Sequence, residues 1–159
     1  MSLSFLDSIP CRGFTVCYGA ATANTTLNHP MTQTNHYSEK AWLEVGQVTV
    51  SNGTTDILCT AGQVNDLTAF KGQDVTATTG DEASLWVAFN PTDTSQPLNV
   101  EVITSDTAIT GECSVFVLHG SMTVEEKTID SWKYIYIREG VTKNITLTEG
   151  SKVAKVTIG

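Results

Sequence analysis

The chain has 159 residues, 40% of them apolar, which is enough for one compact domain or two small closely packed ones and too little for three. Nine basic residues, none clustered, against 17 acidic ones give a formal charge of −8, a field that repels phosphate backbones and anionic lipid, so neither nucleic acid nor a membrane surface is expected as a partner. No apolar run approaches the roughly 20 residues that span a bilayer, and no basic stretch followed by an apolar one opens the chain, so a cytoplasmic, unsecreted protein is expected.

In chain order, residues 1–11 hold Phe5, Leu6 and Ile9 ahead of Pro10 and read as a turn of helix or a packed N-terminal arm. Residues 12–18 alternate and predict a strand. Residues 20–36 are polar and interrupted by Pro30, which a central strand does not tolerate, so they read as a loop or an irregular edge. From Ala41 the apolar pattern returns through Trp42, Val45, Val48 and Val50, with a bend at Gly46. Asn52-Gly53 is the sequence of a two-residue type I′ hairpin, whose central positions need positive φ. Strands are predicted at about 55–60, 64–70, 73–79 and 84–89. Asn90-Pro91 opens a polar connector, and strands resume at 98–104 and 108–110. From Cys113 to Gly159 apolar residues alternate through Val115–Val117, with Phe116 and Leu118 on the other face, then Met122–Val124, Tyr134–Tyr136, Ile145–Leu147 and Val153, separated by Gly120, Gly140 and Gly150. No amphipathic helix of useful length appears. About a dozen short strands with regular turn signals indicate an all-β sandwich or barrel.

The two halves can be aligned: G-Q-V-T-V at Gly46 with G-S-M-T-V at Gly120, Phe70-Lys71-Gly72 with Arg138-Glu139-Gly140, V-T-A-T-T-G ending at Gly80 with I-T-L-T-E-G ending at Gly150, and L-W-V at Leu85 with V-A-K-V at Val153. This internal repeat implies modules at about 12–95 and 96–159; a single jelly roll with similar halves is the alternative. The four cysteines, Cys11, Cys17, Cys59 and Cys113, are irregularly spaced and read as free thiols of a reducing compartment. The sequons at Asn24, Asn52 and Asn144 read as coincidences in a threonine-rich chain.

The glycine-turned hairpin at Val117–Val124, the aromatic strand behind it and the Glu139-Gly140 turn resemble the core of the cupin family, whose members are jelly-roll barrels. The resemblance implies a cupin-like fold, here as two tandem modules, and self-association through sheet edges into a homo-oligomer. It also supplies a test for metal. The family's first motif resembles G-x(5)-H-x-H-x(3,4)-E-x(6)-G, and Glu39 with Gly46 fits its end, but the two histidine positions fall on Gln33 and Asn35, with His36 one residue off. The second motif resembles P-x-G-x-x-H-x(3)-N, and Lys143 stands where its histidine would be; an ammonium repels a cation. No metal or other cofactor is therefore expected, the weak alternative being a site at His36 and Glu39.

No phosphate loop, nucleophile elbow or Cys-x-x-Cys pair is present. What remains is the barrel mouth, where Gln33, Asn35, Glu39, Trp42, Tyr134, Tyr136 and Lys143 are the candidates to face inward and bind a small polar ligand. Two readings follow: a metal-free module for structure, assembly or ligand binding, or a cupin-like enzyme acting on a sugar or nucleoside, of isomerase, epimerase or phosphorylase type, with Glu39 or Lys143 as acid or base.

Overall fold

The computed structural model describes residues 4–33 and 36–159, and the side chains from Ser8 onward within them. Two compact units divide at Pro97/Leu98.

In the first unit, β1 (Ser4–Pro10), β2 (Phe14–Ala21), β4 (Lys40–Val45), β7 (Val64–Asp66) and β9 (Ser84–Pro91) form one sheet in the order β1-β2-β9-β4-β7. The other sheet contains β3 (Thr26–His29), β5 (Gln47–Ser51), β6 (Asp56–Thr60) and β8 (Val75–Thr79), in the order β3-β8-β5-β6. In the second unit β10 (Leu98–Ile103), β12 (Cys113–His119), β15 (Tyr134–Ile137) and β17 (Lys152–Ile158) form a sheet in the order β10-β17-β12-β15, and β11 (Thr107–Thr110), β13 (Ser121–Val124), β14 (Lys127–Asp130) and β16 (Thr142–Leu147) one in the order β11-β16-β13-β14. With β1 set aside, the two units have the same strand order, and every pairing between named strands is antiparallel. Among the described residues no helix is long and apolar enough to cross a membrane.

Each unit has its own core between its two sheets. Met31, Tyr37, Leu43, Val48, Val50, Leu67, Phe70 and Val75 cluster in the first; Ile109, Val115, Val117, Met122, Ile137, Ile145 and Val153 cluster in the second. Each such side chain, fully buried, contributes roughly 1.5–3 kcal/mol. The alternation expected at Val115–Val117 is present, yet Phe116 and Leu118 on the other face are buried as well, Phe116 against the ring of Trp132 at 6.3 Å between centroids. A strand buried on both faces reads as a continuous apolar run.

Some local readings are corrected and others are decided between their alternatives. Ser4–Pro10 is a strand paired with β2, not a turn of helix. Within 20–36, Thr26–His29 forms β3 at a sheet edge, and Pro30 stands just beyond it, where its missing N–H costs no ladder bond. The strand expected over 64–70 stops at Asp66, where a 3-10 turn at Thr68–Phe70 drives the Phe70 ring into the core. The Asn52-Gly53 hairpin exists, but Ser51 pairs with Asp56, so the loop has four residues; Asn52 Oδ1 accepts the N–H groups of Thr54 and Thr55 and holds it. The two-residue loop with positive φ at both positions is instead Glu125-Glu126, between Val124 and its partner Lys127.

A single glycine turns the chain from one sheet to the other in each unit. Gly46 (φ +86°) links β4 to β5 and Gly120 (φ +83°) links β12 to β13. Both are also sterically required, since a Cβ on Gly46 would lie 2.2 Å from Ser84 Oγ and 2.6 Å from the Ala83 carbonyl oxygen, and one on Gly120 2.1 Å from Ser151 Oγ. Gly53 has the same sign of φ (+92°) and nothing within 4 Å. Gly53→Ala therefore incurs only the left-handed backbone penalty, about 1–2 kcal/mol, while Gly46→Ala adds a collision with main chain. Urea titration of the two variants should show G46A destabilised by at least about 2 kcal/mol more than G53A.

Candidate functional site

The interior of the first unit is not filled. A cavity of about 640 Å³ runs between its sheets, a size that suits a small organic molecule. Its wall along β9 is set by the strand's period of two: Trp86, Ala88 and Asn90 line the cavity, while Val87 and Phe89 between them are buried on the opposite face. Ala41 and Leu43 on β4, Val48 and Val50 on β5, Cys59 on β6, Val75 and Ala77 on β8, and Thr15 and Cys17 on β2 complete the wall. The Trp86 indole lies over Gly19, its cross-strand partner, where an added Cβ would sit 2.9 Å from the ring.

The space follows from small side chains at defined register positions. Ala41 pairs with Ala88, two residues along from the Leu43–Trp86 pair; in the second unit Val115 takes the same place, two residues from the Val117–Val153 pair. Ala77 is the cross-strand partner of Leu27 on β3, and Ile145 that of Thr107 on β11. Where the second unit carries Val115 and Ile145 in its core, the first carries alanine.

Among the described residues, none that lines the cavity is Asp, Glu, Lys or Arg. Its polar groups gather where β2 begins, β9 ends and the chain enters β4. Thr15 is the cross-strand partner of Asn90, the Asn90 amide nitrogen donates to Cys17 Sγ at 3.5 Å, and His29 Nε2 lies 3.2 Å from Ser38 Oγ. The rings of His29 and His36 meet edge to face at 6.5 Å. Burial pushes the His29 pKa below its ordinary value; a main-chain hydrogen bond with His36 and the charge of Asp74 oppose this, and His36 adds to it. Burial likewise raises the thiols of Cys17 and Cys59, the latter to about 11, so both stay protonated and unreactive at neutral pH.

The residues expected at a barrel mouth do not come together. Gln33 is exposed and Asn35 lies outside the described residues. Glu39 is buried, with the Tyr37 hydroxyl donating to it at 3.5 Å, but it does not line the cavity; burial first, then the charges of Glu39 and Asp66, raise the Tyr37 pKa. Trp42 is on the face of β4 opposite Ala41 and Leu43, and its indole N–H donates to Glu44 at 2.7 Å. Tyr134 and Tyr136 alternate with Ile135 and Ile137, and it is the isoleucines that join the core of the second unit. Lys143 shares a face of β16 with the core residues Ile145 and Leu147, but its ammonium pairs with Glu125 in the hairpin turn, which holds that carboxyl below the usual range. His36 is exposed, and among the described residues no group of three or more His, Cys, Asp or Glu side chains is placed to hold a metal ion.

Trp86, Asn90, Ser38 and the His29 wall were missed by the sequence reading. Alternation through Trp86-Val87-Ala88-Phe89-Asn90 was the available signal for the first two.

No family model and no curated protein matches the sequence. Solved structures do resemble it. AerE from Microcystis aeruginosa matches with a TM-score of 0.61 at 11% identity, over 95% of this chain and 89% of its own. A conserved protein of unknown function from Pseudomonas aeruginosa gives 0.64 at 12%, over 96% and 83%. A cupin 2 conserved barrel domain protein from Leptotrichia buccalis gives 0.50 at 6%, over 98% and 89%. The chain has a cupin-like all-β fold along nearly its whole length; at such identities the likeness extends to fold alone.

The His29 environment has a measurable consequence. A histidine whose pKa is lowered by folding favours the folded state while neutral, so its contribution is present above the ordinary value of 6.5 and is lost as pH falls from there toward the lowered folded value. Thermal melts between about pH 7 and pH 5 should show the wild type losing stability more steeply than His29→Gln.

Proposed function

We propose that this chain is a small-ligand-binding protein whose site is the interior of its first unit, and that its guest is an uncharged, mainly apolar molecule. The observation that carries this reading is a cavity of about 640 Å³ walled mainly by apolar side chains, with polar groups such as Thr15, His29, Ser38 and Asn90 but no Asp, Glu, Lys or Arg among the described residues that line it. Leaving such a space unfilled sacrifices packing, and the second unit has larger side chains at the matching register positions. An ionised guest would lose its hydration with no counter-charge to meet it. A sugar, with a hydroxyl on nearly every carbon, would find too few partners along an apolar wall.

The alternative of a sugar or nucleoside enzyme relying on Glu39 or Lys143 has less support. Glu39 is turned toward Tyr37, Lys143 is committed to Glu125, and burial raises the Cys17 thiol and lowers the His29 pKa.

The test uses a neutral fluorescent probe, N-phenyl-1-naphthylamine, titrated into the full chain. Its emission should rise saturably on binding. The double variant Ala41→Val/Ala77→Ile, which introduces the side chains the second unit carries, should bind at least about tenfold more weakly while melting no lower than wild type. Equal binding by wild type and variant, or no binding by the wild type, would overturn the reading.

A further inference from the structure

We infer that Asn90 selects the guest, and that the cavity takes molecules carrying a hydroxyl or N–H donor at one end of an apolar body. This inference rests on the cavity being a binding site and goes further by assigning the chemistry of the guest's polar end.

Asn90 is 4% exposed and lines the cavity on the face of β9 that it shares with Trp86 and Ala88. Its amide nitrogen is taken up by Cys17 Sγ. Its amide oxygen, Oδ1, is buried with no hydrogen-bond partner among the described residues. Buried side-chain carbonyls are nearly always paired, because an unpaired one forfeits the hydrogen bond it made to water in the unfolded chain. An acceptor left unpaired on a residue that lines a ligand-sized cavity is therefore complementary to a donor brought by the guest.

The surroundings define the rest of the match. Trp86 lies four residues away on the same face of the strand, about 13 Å at the rise of an extended chain, with Ala88 between them. A guest with its donor at Asn90 extends past Ala88 toward the indole over apolar wall. A guest that is acceptor-only at the same end, such as an ether, would set oxygen against oxygen.

The experiment is a matched pair of neutral bicyclic probes, 2-naphthol and 2-methoxynaphthalene, titrated calorimetrically into the wild type and into Asn90→Leu. Wild type should prefer the naphthol by about tenfold or more, because a site built to hydrogen-bond a hydroxyl rejects the analogue that lacks it. N90L should lose that preference by weakening naphthol alone, and should melt at the wild-type temperature or above, since it removes an unpaired buried carbonyl. If both probes bind wild type equally, or the ether binds better, the role of Asn90 is wrong while the cavity remains a binding site. If neither binds, the cavity reading falls with it. Should N90L fail to fold, the wild-type pair alone decides the matter.

Discussion

The phase of side-chain alternation along β9 governs the first unit. This strand lies between β2 and β4, and its two faces have different tasks. Val87 and Phe89 are buried on one face, with Phe89 near Phe14 at 6.4 Å between ring centroids; Trp86, Ala88 and Asn90 form the cavity wall on the other. A slip of one residue would exchange the two sets, placing an amide and an alanine where aromatic packing is needed. The register is pinned by eight consecutive partners on β2, from Phe14–Pro91 to Ala21–Ser84, and by the Gly46 corner, which fits only against the backbone at Ala83 and the side chain of Ser84.

The contrast between the units lies in side-chain size rather than topology. With β1 set aside, both have two four-strand arrays in the same order, turned by a glycine that abuts a serine. In the second, valine and isoleucine close the interior; in the first, Ala41, Ala77 and Ala88 leave space that Leu43, Val48 and Val50 only partly border. A few methyl groups therefore separate a packed core from a chamber, with no change in strand order. Such economy explains why a shared fold says so little about chemistry: what differs lies in the residues facing inward.

Strand positions and corners were legible in the sequence because glycine and period-two alternation report backbone geometry directly. Which face points inward was not. Ala41-Trp42-Leu43 and Tyr134-Ile135-Tyr136-Ile137 are apolar without a break, so the pattern has no phase, and choosing the large aromatics as inward put Trp42, Tyr134 and Tyr136 on the wrong side. Asn90-Pro91 has the composition of a turn, yet β9 continues through both, because Pro91 closes the strand end against Phe14. His29 was obscured by Pro30 in the same way. The repeat alignment set Val75 beside Ile145, whereas the cross-strand partners set Ala77 there. A two-residue slip preserves every face while misplacing every size, so the sequence comparison concealed the alanine that opens the interior.

The neutrality of the chamber has a further consequence for any guest that can ionise. The chain carries a formal charge of −8, and among the described residues the space inside is lined by no lysine or arginine to offset an anion. A weak acid would have to shed its charge at the threshold and enter protonated, while a weak base would enter only after giving up its proton. Occupancy would then follow the acidity of the visitor, and a neutral amphiphile would be taken from a mixture in which its ionised relatives are more abundant.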